Sequence, residues 1–420
     1  MKILISLQQS IYTNEGKWTT ADSNIQMMAG LTRHLLKNTD WDIYWLMAPM
    51  YDFKDISQAY DVVFPKGTPE LFRWHVIERP MPVDAFKCRI QWDDSFYSGI
   101  KSVLQNMDVV INNDPSLGYN WAFLRYINKY KYKIATCNYW MDCPMIGEEK
   151  VPTDISYDWR QIEGSYFSDV VPFTCQSTKD AFIENANIRF NSDIVKQIID
   201  KSTIWDFGFD CNELNYSQFK VGNENNPVMK KIEECDKHVI LFPNRLSPTN
   251  YTHHKEFIEA VNFLYQQRKD FVVIMANPSN KVKWHDLKRD VEPLYVIKEE
   301  PLTRAEYLAL LTRTKYSTTN SIAVSLYLIE RYGGCCFREY VEMNWKPVVP
   351  KVFEYKNILG DNYSYYINAT KETGIDSTDL CKKLDLALDD GSRLDTKINH
   401  KSCYCESGKQ ALEDILKVTK

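Results

Sequence analysis

The chain has 420 residues, more than one hydrophobic core usually serves, so its length predicts two domains of about 200 residues each. Hydrophobic residues make up 44% and charged residues 25% of it, a globular composition that excludes a disordered or fibrous chain. The formal net charge of −5 excludes a global positive field that would draw in nucleic acid or an anionic membrane, although a local basic cleft stays open.

The first half of the chain alternates strands with helices. A short apolar run, Lys2–Leu7, predicts a buried strand, and apolar residues at helical spacing predict a helix over Asp22–Leu36. Further predicted strands are Asp42–Met47, Asp61–Phe64, Asp108–Asn112, Lys133–Thr136 and Val170–Thr174. This alternation indicates a parallel sheet covered by helices on both faces.

A polar stretch, Asn212–Cys235, is the best linker candidate, and after it the alternation starts again. The predicted strands of this second array are His238–Phe242, Phe271–Met275, Leu294–Ile297, Lys315–Thr318 and Pro347–Val349. Its predicted helices cover Lys255–Arg268 and Thr303–Thr312, and Gln410–Val418 predicts a packed C-terminal helix. We therefore expect a Rossmann-like domain over 1–215, a linker over 216–235, a second Rossmann-like domain over 236–400 and a C-terminal helix within 401–420 that packs back.

Targeting and cysteine patterns indicate a soluble, cytoplasmic protein. The first residues lack a signal peptide, and no run reaches the roughly 18 to 20 apolar residues that cross a bilayer. The 11 cysteines are scattered and odd in number, which predicts reduced thiols. Cys403 and Cys405 lie close together, but two ligands are too few for a metal site. The GxGxxG, GxxxxGK[ST] and HExxH motifs are absent, which argues against dinucleotide redox, P-loop and zinc-protease chemistry.

The first chemical motif follows the strand that opens the second array. Arg245 stands at the carboxyl end of that strand and Lys255 at the start of the next helix, and ligands of open α/β sheets bind at this edge. Two cations there can neutralise a diphosphate and the charge that develops as it leaves, with Arg as a bidentate fork and Lys as a point charge. Taken alone, the same residues also fit a solvated loop and an ordinary helix start.

The second motif runs from Ser321 to Pro350, and its most informative part begins at Glu330. Gly333 and Gly334 predict the start of a helix whose free N–H groups face a phosphate. Glu339 falls within that helix, where a carboxylate can accept hydrogen bonds from two ribose hydroxyls. On its own, the segment also fits a glycine-capped helix with surface glutamates.

In this order and spacing, the two motifs resemble the retaining two-Rossmann (GT-B) glycosyltransferases of the glycosyltransferase group 1 type. The family's Arg, Lys, Glu–aromatic–Gly segment, second Glu and Pro-Val-Val correspond here to Arg245, Lys255, Glu330 with Tyr332 and Gly333, Glu339 and 347–349. The resemblance implies that Arg245 and Lys255 hold a diphosphate. It also implies that Glu330 lies near the donor sugar and that Glu339 binds the ribose.

The same resemblance implies two Rossmann-like domains that face each other across a cleft, with a nucleotide sugar (a UDP- or GDP-sugar) as co-substrate. Retention in this family is usually drawn without a protein nucleophile, so the protein mainly positions the reactants and stabilises charge. No Asp-x-Asp motif stands at a strand end, so we expect no obligatory metal ion.

The first half of the chain supplies the expected acceptor side. Arg160 and Glu163 look like residues of the helix that lines the cleft in such enzymes, and Gly16 lies in a loop that faces it. Asp142 occupies a loop where related enzymes place a polar group toward the reacting sugar, and it also fits a loop-capping residue. We interpret His253 and His254 as loop structure rather than as catalytic groups.

The acceptor is left open by the sequence. Asn244-Arg245 followed by a polar loop and Lys255 looks similar to phage α-glucosyltransferases that modify hydroxymethylated DNA bases, which would place the protein in the host cytoplasm. Saccharide, lipid-linked and protein acceptors compete with this interpretation. A sugar-nucleotide epimerase of the same fold, and a non-catalytic nucleotide-sugar or nucleic-acid binding protein, are the alternative functions.

Overall fold

The structure is a computed structural model in which the chain divides into two compact units. One unit comprises Met1–Asp210 together with Cys403–Lys420, and the other comprises Cys211–Ser402. The described residues are 1–7, 23–47, 72–78, 94–137, 155–206, 237–244, 246, 250–275, 295–297, 304–312, 321–328, 334–370, 372–391, 394 and 404–420. The predicted linker at 216–235 lies outside them.

The first unit contains a parallel sheet with strand order β3-β2-β1-β4-β5. Its strands are β1 Lys2–Ser6, β2 Asp42–Met47, β3 Trp74–Glu78, β4 Val109–Asn112 and β5 Lys133–Thr136. A parallel bridge from Ala135 to Val170 places the pair β6 Val171–Phe173 and β7 Ser202–Ile204 beside β5. The helices of this unit are α1 Ser23–Asn38, α2 Asp94–Leu104, α3 Gly118–Asn128, α4 Ile155–Phe167, α5 Gln176–Arg189 and α6 Ser192–Asp200.

The second unit contains a six-stranded parallel sheet with strand order β10-β9-β8-β11-β12-β13. Its strands are β8 His238–Phe242, β9 Phe271–Met275, β10 Tyr295–Ile297, β11 Ser321–Val324, β12 Lys346–Pro350 and β13 Tyr366–Ile367. Its helices are α7 His254–Gln267, α8 Arg304–Thr312, α9 Cys335–Glu342, α10 Phe353–Leu359 and α11 Ser377–Asp389. In the first sheet β1 lies between β2 and β4, and in the second sheet β8 lies between β9 and β11. This order is that of a Rossmann fold.

Both sheets are buried because helices cover their faces, and the strands are therefore apolar nearly throughout. In the first unit, Val110 and Ile134 pack under Trp121 and Leu124 of α3. In the second unit, Ile240 and Val273 lie in a core with Phe257, Val261 and Leu264 of α7. This burial explains why short apolar runs mark the strands in the sequence.

A C-terminal helix, α12 Tyr404–Thr419, belongs to the first unit and contacts α1 and β5. The indole Nε1 of Trp205 donates to Asp414 Oδ2 over 2.8 Å. Gly408 lies so close to the imidazole of His34 that a Cβ atom at this position would overlap the ring. The expectation of a C-terminal helix that packs back is thus confirmed. None of the helices that the structure describes is both long and apolar enough to cross a bilayer.

The structure confirms most of the predicted strands. Asp42–Met47, Lys133–Thr136, His238–Phe242 and Phe271–Met275 have the expected bounds. The expected strands Asp61–Phe64 and Lys315–Thr318 lie outside the described residues. In the structure, strand Trp74–Glu78 pairs with β2, and strand Ser321–Val324 pairs with β8. The sequence analysis did not identify these two strands.

Candidate functional site

The carboxyl ends of β8 and β11 meet where the second sheet reverses its strand order, a point at which ligands of open α/β sheets bind. Asn244 follows β8 and is buried, and its Nδ2 donates to Ser325 Oγ, beyond β11, over 3.2 Å. Ser325 shares a 2.9 Å hydrogen bond with the hydroxyl of Tyr355. The Oδ1 atom of Asn244 accepts from the thiol of Cys336 at 3.4 Å. These contacts fix the sheet edge on which a ligand would rest.

The start of α7 is shaped by two residues with left-handed backbone conformations, Asn250 (φ 55°) and His253 (φ 53°). The Asn250 side chain accepts from the backbone N–H of Lys255 over 3.2 Å and donates to Glu256 Oε2 over 2.8 Å. Burial raises the pKa of Glu256, but the nearby His253 imidazole and the Asn250 amide outweigh burial and lower the pKa to about 2. The ionised Glu256 therefore holds the Asn250 side chain against the first turn of α7, where it accepts from the Lys255 N–H.

Lys255 supplies positive charge at this edge. Its side chain is exposed, and no ion pair of its ammonium group occurs among the residues that the structure describes. The neighbouring His254 is 1% exposed, and its Nδ1 lies 3.4 Å from Thr252 Oγ1. Burial, reinforced by the charge of Lys255, lowers the pKa of His254. The first turn of α7 therefore carries the exposed Lys255 side chain and a buried His254 imidazole that is neutral at neutral pH.

The start of α9 lies on the same side of the second sheet. Gly334 precedes it with φ 81° and ψ 151°, a conformation that other residues adopt only with strain. An added Cβ atom would have room, since it would lie 3.5 Å from Cys336 Sγ and 3.6 Å from the Tyr327 ring, so the backbone angle is what requires glycine. Tyr327 stacks on Tyr251 with 5.9 Å between ring centroids. The start of α9 and the loop before α7 thus both contact Tyr327.

Glu339 lies in the second turn of α9 and is 5% exposed. The helix around it is anchored by an ion pair from Arg338 Nη2 to Glu354 Oε1 over 3.0 Å, with both side chains buried. Phe337 adds an edge-to-face contact with Tyr355, with 4.7 Å between ring centroids. A buried carboxylate on a firmly anchored helix keeps its position without a ligand.

The corresponding edge of the first sheet carries its own buried polar network. Asn112 Nδ2 donates to the Asp114 carbonyl over 2.5 Å and to Thr136 Oγ1 over 3.4 Å. Its Oδ1 accepts from the indole of Trp121 at 3.3 Å. Thr136 Oγ1 lies 2.6 Å from Ser168 Oγ. This network ties β4, β5, α3 and the residue after α4 together.

The predicted acceptor-side residues lie on α4. Arg160 Nη1 is 3.4 Å from Glu163 Oε2, and its guanidinium lies over the ring of Tyr119 at 4.9 Å from the centroid. One turn later, Gly164 packs against Gly118, which leaves no room for a Cβ atom at either position. This close approach fixes α4 against the start of α3.

Lys255 lies on α7, Glu339 lies on α9, and Gly334 directly precedes α9. Both helices begin at the carboxyl edge of the second sheet. Arg160 and Glu163 lie on α4 of the first unit. The remaining candidates lie outside the described residues: Gly16, Asp142, Arg245, Glu330, Tyr332 and Gly333. The roles of all these residues stay predictions. Within the described ranges, no group of three or more His, Cys, Asp or Glu side chains is arranged to hold a metal ion.

The sequence analysis did not single out Ser325 and Tyr327, two residues of this edge, although both lie within the second motif. Both follow β11, whose short sequence Ser-Ile-Ala-Val was not identified as a strand. The apolar middle of this segment, followed by the polar Ser325, was the signal that could have identified the strand. A polar residue after a buried strand is the pattern that identified Asn244 and Arg245.

No protein-family model matches the chain, and no curated protein matches it significantly. Solved structures match over nearly the whole length. HepE from Anabaena, in complex with UDP-glucose, is 11% identical with a TM-score of 0.63, covering 99% of this chain and 100% of that one. A UDP-forming α,α-trehalose-phosphate synthase from Burkholderia xenovorans, in complex with glucose-6-phosphate, is 12% identical with a TM-score of 0.62 and the same coverages.

A putative UDP-N-acetylglucosamine 2-epimerase from Listeria monocytogenes is also similar, with 14% identity, a TM-score of 0.58 and coverage of 100% of this chain and 96% of that one. At these identities the likeness establishes the fold. The chain has the α/β fold of the GT-B glycosyltransferases, with two Rossmann-like domains, as the sequence motifs predicted.

Proposed function

We propose that this protein is a glycosyltransferase that binds a nucleotide sugar at the carboxyl edge of the sheet in its second unit. The observation that carries the proposal is the set of groups gathered there: the exposed Lys255, the start of α9 at Gly334 and the buried Glu339. A helix start and a lysine suit a diphosphate, and a fixed carboxylate suits ribose hydroxyls. Arg245, next to the buried Asn244, is expected to supply the second cation.

The proposed donor is a UDP- or GDP-sugar, and no metal ion is required. Uridine is the first nucleoside to test in the donor, because HepE, which has the same fold, was crystallised with UDP-glucose. We expect Glu330 near the donor sugar, and Tyr332 and Gly333 with Gly334 against the nucleotide. In the first unit, Gly16, Asp142, Arg160 and Glu163 are expected to face the reactants.

In the proposed reaction, the bond between the anomeric carbon and the diphosphate oxygen breaks, and the diphosphate leaves with the electron pair. The acceptor hydroxyl forms the new bond from the same face and gives its proton to the departing phosphate oxygen, so configuration is retained. Lys255 and Arg245 stabilise the negative charge that develops on the diphosphate. No protein nucleophile is needed in this scheme.

We propose a hydroxymethylated base in phage DNA as the acceptor, with the host cytoplasm as the setting. The support is the likeness of Asn244-Arg245 and Lys255 to the phage α-glucosyltransferases. Saccharides and lipid-linked saccharides compete as acceptors. Transfer to hydroxymethylated but not to unmodified DNA would support the DNA acceptor, and transfer to neither DNA would favour the saccharides.

A sugar-nucleotide epimerase is the second candidate, favoured by the similarity to the Listeria protein. A 2-epimerase changes the configuration of the sugar at carbon 2 and gives another sugar nucleotide as its product. Nuclear magnetic resonance of UDP-N-acetylglucosamine incubated with the protein therefore separates the two: a new sugar nucleotide indicates an epimerase, and free nucleotide indicates a transferase.

The test of the proposed function is a panel of UDP- and GDP-sugars without acceptor, scored by nucleotide release and by thermal stabilisation. We expect one donor to stabilise the protein and to release nucleotide slowly. Arg245→Ala and Lys255→Ala should each weaken donor binding by about 10-fold or more, because each removes a charge-assisted contact. Lys382→Ala, at an exposed lysine of α11 in the same unit, is the matched control and should bind the donor normally. A protein that binds none of the donors would contradict the transferase.

A further inference from the structure

One buried amide in the first unit stands out, that of Gln161 on α4. Its side chain is completely buried, and within the described part of the chain neither its Nε2 nor its Oε1 has a hydrogen-bond partner. A buried amide without partners opposes folding, because both its donor and its acceptor have left water without compensation. Such groups are rare in native proteins, so this one calls for an explanation.

The position of Gln161 is set by the packing of α4. This helix connects the neighbouring parallel strands β5 and β6, so it runs antiparallel to them and its first half lies toward their carboxyl ends. The contact between Gly164 and Gly118 presses α4 onto the start of α3. Gln161 lies one helical turn before Gly164, and therefore closer to the carboxyl edge of the sheet.

Some polar side chains at the carboxyl ends of β4 and β5 are hydrogen-bonded. Thr136 and Ser168 bond each other, and Ser168 Oγ also donates to the Gly164 carbonyl over 2.7 Å. Other polar atoms at this edge are not. Asn113, directly after β4, is 1% exposed, and its Oδ1 has no hydrogen-bond partner among the described residues. Unpartnered amide atoms thus occur where the sheet ends, at the edge that binds ligands in this class of fold.

We infer that Gln161 is an acceptor-binding residue whose carboxamide takes a neutral group presenting a hydrogen-bond donor and acceptor side by side. Two sources offer this chemistry, the edge of a pyrimidine base and a pair of adjacent sugar hydroxyls. Because the amide is closed off from solvent, the ligand group must enter the protein rather than rest on its surface. The inference rests on the proposed function and names the chemistry of its acceptor.

The test titrates 5-hydroxymethyl-2′-deoxycytidine and glucose, in separate arms, into the wild-type protein, Gln161→Met and Gln176→Met. Methionine keeps the length of the side chain and removes both polar atoms. Gln176 is a matched control, since its amide is exposed on α5 and donates to Asp180. We expect one probe to bind the wild type, Gln161→Met to weaken that binding by about 10- to 100-fold, and Gln176→Met to bind like the wild type. The probe that binds identifies the source.

Thermal unfolding without ligand gives a second readout. Gln161→Met should melt at a higher temperature than the wild type, because it buries no unpartnered amide. A lower melting temperature together with unchanged probe binding would show that Gln161 has a structural role, and the inference would be wrong. Failure of both probes to bind the wild type would also overturn it.

Binding of UDP and of GDP to the wild type, measured by calorimetric titration, separates this inference from the proposed function. If either nucleotide binds and both probes fail, the acceptor assignment alone is wrong. If neither nucleotide binds, the proposed function is wrong.

Discussion

The carboxyl edges of the two sheets differ in how their buried amides are used. At the second edge, Asn244 is bonded on both sides, to Ser325 and to Cys336. At the first edge, Asn112 is bonded in the same way, to Asp114 and Trp121, but Gln161 and Asn113 keep buried amide atoms without a partner among the described residues. The difference suggests a division of labour: the second edge has its final geometry before any ligand arrives, and the first gains its missing hydrogen bonds from the ligand. The following changes test each side, from the largest expected effect to the smallest.

The strongest test of a rigid second edge is Arg338→Met. It removes the buried ion pair with Glu354 that anchors α9, and loss of one partner from a buried pair costs about 3 to 5 kcal/mol. We expect a large fall in the urea midpoint, with faster hydrogen exchange in α9 and α10. Lys351→Met breaks an exposed pair with Asp361 and is the control, expected to leave the midpoint unchanged. If both variants unfold alike, the buried pair does not hold this edge.

At the first edge, the matching test is Gly164→Ala. Its new Cβ atom would overlap the Pro115 carbonyl oxygen, so α4 must move away from the start of α3. We expect a destabilisation of about 2 to 3 kcal/mol by urea unfolding, as for an overpacked core. Hydrogen exchange should speed up in α3 and α4, while α9 keeps its wild-type rate. Faster exchange in α9 would mean that the two edges are energetically coupled.

The third test is Gly334→Ala, whose added Cβ atom makes only ordinary van der Waals contacts but whose backbone angle is unfavourable. We expect a loss of about 1 to 2 kcal/mol from the positive φ. Nucleotide-sugar affinity should fall with it, because the start of α9 would change direction. Gly391→Ala, at an open position without a positive φ, is the control and should change neither quantity. Wild-type affinity in Gly334→Ala would remove the start of α9 from the proposed donor site.

The smallest expected effect is the pH dependence that Glu256 gives to the start of α7. Its folded pKa of about 2 lies below the ordinary value of 4.5, so its contribution is complete above pH 4.5 and is lost as the pH falls toward 2. After allowance for solvent screening we expect roughly 1 kcal/mol. In urea unfolding, wild type and Glu256→Gln should therefore differ at pH 7, differ less at pH 3 and converge near pH 2. A difference that does not shrink between pH 7 and pH 2 would contradict this assignment.

Much of the fold could be predicted because parallel sheets bury continuous apolar runs. His238–Phe242 and Phe271–Met275 were predicted to the residue for that reason. Strand β3, Trp-His-Val-Ile-Glu, was missed because it mixes polar and apolar residues. Strands β7 and β13 were missed because they are only three and two residues long. Such strands are defined by their neighbours in the sheet rather than by their own composition.

Those features of the candidate site that depend only on neighbouring residues in the sequence could be predicted. Gly334 starts a helix, as the glycine pair indicated, and Lys255 and Glu339 lie on the two helices expected from their spacing. The hydrogen bond from Asn244 to Ser325 joins residues 81 positions apart, and no local pattern reports it. The unpartnered amide of Gln161 depends on everything packed around it, so only a structure can show it.

The C-terminal helix has a consequence for how the molecule is made. Residues 404–419 complete the first unit, yet they are synthesised after the entire second unit. As the chain leaves the ribosome, the second unit has all its residues first, while α1 and β5 wait for their last covering element. A chain that stops early would therefore carry a finished second unit beside a first unit that lacks its final helix.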